Sequence, residues 1–277
     1  MNALEKTAHR SALVTGASDG IGRATALALA DDGYDVVLVA RREAALDDVA
    51  NAIRARGRAA RVIVADLAED DGVAAVINSE DAADVDVVVL AAGFGGSGAF
   101  LDGAVDADLS MLDVNCRAVL ALSHHFGRRL AARPATTTKG PRALVLYSSL
   151  LAFQGVPGSA TYAATKAFVQ SFAEGLGREL APAGVDVISV APGPVHTGFA
   201  DRAGMKMGSA STPDVVAKAT VARIRHGAGA RTIRPGFLAK FLELSLSTLP
   251  RVARVRILEL VMAGMRPSPA PIKTVGA

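Results

Sequence analysis

Two side chains able to move a proton, Tyr162 and Lys166, stand four residues apart in the chain. On a helix that spacing puts both on one face. An ammonium beside a phenol stabilises the phenolate. The pair therefore predicts a tyrosine brought down from its usual pKa of about 10 into a range useful near neutral pH. Ser149 lies thirteen residues before Tyr162, at the end of the apolar run from Ala143 to Tyr147.

Chemistry of this kind needs a frame, and the N-terminal region supplies its first part. Leu13, Val14 and Thr15 run straight into Gly16, Ala17, Ser18, Asp19, Gly20, Ile21 and Gly22, followed by an alanine-rich helical stretch from Ala24 to Ala30. A strand, a glycine turn and a helix start make a phosphate site. The glycines let the backbone bend and approach a pyrophosphate, and the helix N-terminus offers amide donors and a favourable dipole. The spacing is Gly-x3-Gly-x-Gly, not the commoner Gly-x-Gly-x2-Gly.

Beyond it, apolar runs alternate with helical patterns. Strands are predicted at Ala12–Thr15, Val36–Ala40, Arg61–Val64, Val85–Ala91, Ala143–Ser148 and Asp186–Ala191, with a seventh around Ala230–Ile233. Helices are predicted at Ile21–Asp31, Glu43–Arg56, Glu69–Asn78, Leu109–Ala131, Ala160–Leu180 and Thr212–Arg225. Such alternation predicts an α/β fold, a Rossmann-like doubly wound parallel sheet of about seven strands with helices on both faces. Ligands gather at the carboxyl ends of its strands. The segment from Ala135 to Gly140 reads as a surface loop.

Composition fits that frame. The chain has 277 residues, 51% of them hydrophobic, enough for one large domain with a substantial core. The single cysteine, Cys116, cannot form an internal disulfide, and a cytoplasmic protein is expected. Cys116 reads as a small core residue. The first ten residues are charged and lack the apolar centre of a signal peptide, and no uncharged run is long enough to span a membrane.

Taken together, Gly16, Gly20 and Gly22 after a strand, Ser149, and the Tyr162/Lys166 pair resemble the short-chain dehydrogenase/reductase family, in its single-domain branch. The resemblance covers residues 10 to about 200. The segments 33–42, 92–95 and 162–168 look most like bacterial 3-oxoacyl and hydroxysteroid reductases. The resemblance implies a catalytic set of Asn115, Ser149, Tyr162 and Lys166. Asn115 would hold a water in a proton relay, Ser149 would hydrogen-bond the substrate oxygen, and Tyr162 would be the general acid. Lys166 would depress the tyrosine pKa and bind the nicotinamide ribose. Ser148 is the alternative to Ser149. Tyr147 is given a core position and no role, and His196 that of a loop residue.

The resemblance also implies the cofactor contacts. These are Gly16, Ser18, Gly20, Ile21 and Gly22 in the glycine turn, Asp66 and Leu67 after the third strand, and Ala92 and Gly93 after the fourth. Tyr162 and Lys166 join them, with Pro192, Gly193, Val195 and Thr197 seating the nicotinamide end. Asp66 has a second reading as a helix N-cap. The second strand ends at Arg41 and Arg42, with no carboxylate before Glu43. Two guanidiniums suit a 2′-phosphate, and cations at a helix start oppose the dipole unless a ligand offsets them. NADP(H) is the expected cofactor, with Asp19 a counterweight. One departure stands out. Relatives carry two asparagines after the fourth strand where this chain has Leu90 and Ala91, so packing is expected to replace their bracing.

No metal site is expected. For substrate, Phe94, Leu151, Phe153 and Phe199, with a methionine-bearing segment from Gly198 to Gly208, suggest a hydrophobic lining. A small apolar carbonyl or alcohol compound, with an acyl chain or a steroid-like ring system, fits that better than a sugar. Residues 1–230 form the expected NADP-binding catalytic domain, and 231–277 a basic helical C-terminal extension on or near the substrate side. That extension has eight Lys/Arg against two Glu. Its apolar stretches 237–246 and 252–262 leave three readings: pocket cap, subunit contact, or peripheral contact with an anionic membrane. It offers no aromatic platform for nucleic acid. A homo-oligomer is expected from the family. Two functions follow: an NADP(H)-dependent oxidoreductase, or a dinucleotide-binding redox sensor or scaffold without turnover.

Overall fold

Valine-, leucine- and alanine-rich runs form seven strands: β1 (Arg10–Thr15), β2 (Tyr34–Ala40), β3 (Ala60–Val64), β4 (Val87–Leu90), β5 (Arg142–Tyr147), β6 (Val185–Val190) and β7 (Arg231–Ile233). The computed structural model describes residues 10–133, 140–198, 210–227, 231–236 and 248–265. All seven strands join one parallel sheet in the order β3-β2-β1-β4-β5-β6-β7. Helices cross between them: α1 (Gly20–Asp31), α2 (Glu43–Arg54), α3 (Asp70–Ile77), α4 (Val105–Leu112), α5 (Ala118–Ala132), α6 (Ala160–Leu180) and α7 (Pro213–His226). A last helix, α8 (Arg251–Met265), follows the sheet.

Side chains alternate across the strands, so the sheet has two apolar faces and two cores. Ala12, Val14, Val87, Val89 and Val145 pack under α1, α2 and α7, through Leu29, Leu46, Ile53 and Val216. Leu13, Val88, Leu144 and Leu146 point the other way and meet α3, α5 and α6, through Val73, Leu122, Phe126 and Val169. Strand order reverses between β1 and β4, which opens a crevice beyond their carboxyl ends.

Two elements differ from the sequence expectation. The helix predicted at Leu109–Ala131 starts earlier and is interrupted by a π-helical turn at Asp113–Arg117, between α4 and α5. Propensity alone gives no sign of such a turn, because tertiary contacts around Asn115 decide it. The fourth strand is shorter than predicted, and its bracing is polar as well as apolar: the Ala92 amide donates to Thr15 Oγ1 at 3.1 Å. The expected loop at 135–139 and the helical stretch 237–246 lie outside the described residues. Among the described residues no helix is long and apolar enough to cross a membrane.

Candidate active site

A cleft of about 1000 Å³ opens at the carboxyl ends of the strands. The glycine turn forms one wall because side chains do not fit there. Gly16 has φ +67°, and a Cβ on it would lie 2.8 Å from Ala92 Cα, on the neighbouring strand's end. A Cβ on Gly22 would lie 2.2 Å from the Gly16 carbonyl oxygen, so the helix could not start so close beneath the turn. Helix α1 begins at Gly20, with the Asp19 carboxylate accepting from the Gly20 amide at 2.7 Å. Ser18, Ile21, Ala92, Gly93, Pro192, Gly193, Val195 and Thr197 continue the lining. A backbone turn with no room for a Cβ at Gly16 or Gly22, against a helix start, fits a dinucleotide pyrophosphate.

The two arginines after β2 lie at the far end of this wall. Arg42 donates to Ser18 Oγ at 3.3 Å and lies 3.8 Å from an Asp19 carboxylate oxygen. Arg41 pairs with Asp66 at 3.3 Å. Both guanidiniums are largely exposed, 69% for Arg41 and 58% for Arg42. Asp66 does not cap α3, whose N-cap is Glu69. Its other carboxylate oxygen accepts from the Ala68 amide two residues on, a local turn that holds Leu67 against the cleft.

Across the cleft, β5 and α6 bring the proposed proton-transfer residues together. Ser149 ends the β5 segment and caps a short 3₁₀ turn (Leu150–Phe153), accepting from the Leu151 amide at 3.1 Å. Its hydroxyl also hydrogen-bonds the Tyr162 phenol. Ser148 is committed elsewhere, donating to the Lys166 carbonyl at 3.0 Å, which ties β5 to α6. The first turns of α6 place Tyr162 and Lys166 on one face, the Lys166 ammonium 5.8 Å from the Tyr162 ring centroid. Lys166 Nζ donates to the Tyr147 carbonyl at 2.8 Å. Tyr147 itself is a core residue, its phenol bonded at 3.0 Å to both Thr25 and Thr220 hydroxyls.

Electrostatics here run against the sequence expectation of a depressed tyrosine. Burial pushes Tyr162 up to about 12, offset only in part by the Ser149 hydrogen bond. Burial also pushes Lys166 down to about 8, with a smaller opposing effect from Cys116. Desolvation penalises whichever form is charged, and it is the largest influence on both groups. Asn115 is fully buried behind the cleft, on the π turn. Its amide donates to the Phe94 carbonyl at 2.9 Å and to Thr165 Oγ1 at 3.0 Å, while its oxygen accepts from the Phe94 amide at 3.2 Å. It thus fixes the loop after β4 against α6. Cys116 is half-buried, and burial raises its thiol.

A sequence model described as short chain dehydrogenase matches residues 10–207. The chain belongs to the short-chain dehydrogenase family. It is similar to an uncharacterised oxidoreductase of Staphylococcus saprophyticus, 34% identical over 189 residues that cover 67% of this chain and 78% of the relative. Among solved structures, it resembles a short-chain dehydrogenase from Sphingobium yanoikuyae in complex with NADPH (27% identity, TM-score 0.74, covering 94% of this chain and 98% of that one). It also resembles a bulky-bulky ketone specific alcohol dehydrogenase from Comamonas testosteroni (26% identity, TM-score 0.71, covering 96% and 99%). This short-chain dehydrogenase is therefore an oxidoreductase, and its cradle is that of a nicotinamide dinucleotide.

The other end of the cleft is apolar. Phe94, Leu151 and Phe153 line it, and Phe199 lies outside the described residues. Further lining comes from α8, within the stretch 252–262 for which a pocket cap was one of three readings: Arg254, Ile257, Leu258, Val261 and Met262. Leu258 and Met262 pack with Leu151, Val156 and Ala163 in a small cluster of their own.

Proposed function

We propose that this short-chain dehydrogenase is an NADP(H)-dependent enzyme interconverting a carbonyl group and a secondary alcohol on an apolar substrate. The observation that carries the reading is the convergence of Ser149, Tyr162 and Lys166 on the same cleft that the glycine cradle lines. The dinucleotide, when bound, supplies or accepts the hydride. The Ser149 hydroxyl donates to the substrate oxygen and orients it towards the Tyr162 phenol. Tyr162 gives that oxygen a proton in reduction and takes one in oxidation. Lys166, held by the Tyr147 carbonyl, lowers the cost of the phenolate through its charge. A partly desolvated cleft makes that charge count for more than it would in water.

Arg41 and Arg42 support the choice of NADP(H). Both guanidiniums are largely exposed at the end of the cleft, Arg42 beside Ser18 and Arg41 beside Asp66, and forked donors suit a phosphate monoester. That the similar Sphingobium protein holds NADPH supports the same choice. The apolar lining supports a substrate with an acyl chain or a steroid-like ring system, in keeping with the bulky ketones of the Comamonas enzyme.

Titration of the purified protein with NADPH and NADH, followed by consumption assays on apolar ketones and 3-oxoacyl thioesters, tests both parts. Preferential NADPH binding with turnover is expected; an NADH preference would sink the assignment to the arginines. Tight binding with no turnover on any carbonyl would favour a sensor. Tyr162→Phe is expected to lower kcat by roughly 10²–10⁴-fold while the dinucleotide Kd stays within about twofold. Undiminished turnover would refute the acid/base role.

A further inference from the structure

Helix α8 carries Arg254, Leu258 and Met262 at four-residue spacing, a single stripe along one side of the helix. Leu258 and Met262 are 7% and 3% exposed, packed with Leu151, Val156 and Ala163, and this fixes the stripe towards the cleft. All three line the cleft. Leu151 is their neighbour there, and Phe94 and Phe153 line the same cleft. The carboxylates of the lining, Asp19 and Asp66, belong to the opposite, dinucleotide end, where they hold Arg42 and Arg41. Arg254 uses Nε to donate to the Leu249 carbonyl at 2.9 Å. Among the described residues no carboxylate pairs with it. Arg254 is half-buried, and its two outer nitrogens are left as a free fork of donors beside the apolar lining.

We propose that the substrate, on the carbonyl-reduction reading above, is an apolar carbonyl compound that also carries a carboxylate, bound by Arg254. The fork formed by Nη1 and Nη2 matches a carboxylate bidentately. The apolar body of the substrate then lies along Leu258 and Met262, with its carbonyl towards Tyr162. Cleft and helix together select for an oxo-acid over a neutral ketone of the same size.

The test compares medium-chain oxo-fatty acids, keto group at varied positions, with their methyl esters, in wild type, Arg254→Gln and Arg254→Lys. In wild type the acid is expected to exceed its ester in kcat/KM by about tenfold or more, the difference residing in KM. The ratio is expected to fall towards one in Arg254→Gln, whatever the ester's own rate, and to recover in part in Arg254→Lys. A merely structural role, through the Leu249 carbonyl, would lower Tm and slow both substrates alike. A ratio near one in wild type, or one unmoved by Arg254→Gln, overturns the proposal. So does a rise in the NADPH Kd that accounts for the whole loss, since Arg254 would then serve the dinucleotide. Calorimetry with decanoate and methyl decanoate on the NADPH-loaded protein needs no turnover. Decanoate binding that depends on Arg254, with no ketone reduced, would place the failure in the carbonyl reading and leave the anion site standing.

Discussion

Lys166 and Tyr162 have pKa values pushed apart, to about 8 and about 12, and this makes the site's state depend on pH in a direction that can be worked out. A lysine whose folded pKa is depressed binds fewer protons in the folded than in the unfolded chain, between about 8 and its ordinary 10.5. Stability therefore rises with pH across that window and is lost as pH falls through it. Lys166→Met removes this contribution. Relative to the variant, the cofactor-free wild type is expected to gain on the order of 2 kcal/mol between pH 8 and 10, read by denaturant titration at each pH. Tyr162 has the opposite sign, and its raised pKa erodes stability only above pH 10. A parallel pair of curves would show that Lys166 is not desolvated. At the other end of the cleft, Arg42 touches Ser18 and little else that would hold it there, apart from the longer contact with Asp19. Arg42→Ala is expected to weaken NADPH about tenfold against a much smaller change for NADH, measured as the ratio of the two dissociation constants.

At the scale of elements, the turn between β1 and α1 is the least tolerant. Gly22 sits in ordinary helical backbone, yet a methyl group there meets the Gly16 carbonyl oxygen at 2.2 Å, and backbone cannot step aside as a side chain can. Gly22→Ala is expected to cost about 1–3 kcal/mol by thermal or chemical unfolding and to weaken the dinucleotide by more than tenfold. Unchanged affinity would mean that the cradle is not the pyrophosphate site. The π turn at Asp113–Arg117 is the second such element. It turns Asn115 inwards to bond Phe94 and Thr165, and Arg117 outwards to pair with Asp113 and Asp70 and to bond the Ala68 carbonyl. One turn thereby braces the loop after β4 and the loop after β3, both of which line the cleft.

The whole molecule divides its apolar contacts into two large cores, one on each face of the sheet, and a small cluster under α8. Truncations in these places should differ in kind. Leu144 is fully buried in a central strand, and Leu144→Ala is expected to cost about 2–5 kcal/mol of global stability. Leu258 is buried among few partners, on a helix that also exposes Val252 and Leu260. Leu258→Ala is expected to leave the main unfolding transition within about 1 kcal/mol and to raise KM for apolar substrates, because it loosens the cleft wall and not the sheet. Equal losses of stability would make α8 part of the sheet's cooperative unit.

The order and type of elements were legible because each depends on local pattern. Apolar runs such as Val36–Ala40 and helical periods such as Ala160–Leu180 reappear as β2 and α6 within two residues. The four-residue spacing of Tyr162 and Lys166 on α6 and the glycines at the start of α1 were read from local pattern, and all of these residues line one cleft. What a charge does there was not legible. The same four-residue spacing that suggested a depressed tyrosine gives a raised one, because burial is a property of everything packed around the pair. The π turn and the Thr15 brace were hidden for the same reason, and the choice among the three readings of stretch 252–262 was left open by it. Each is settled by contacts between residues far apart in the chain, where sequence period is silent and packing decides.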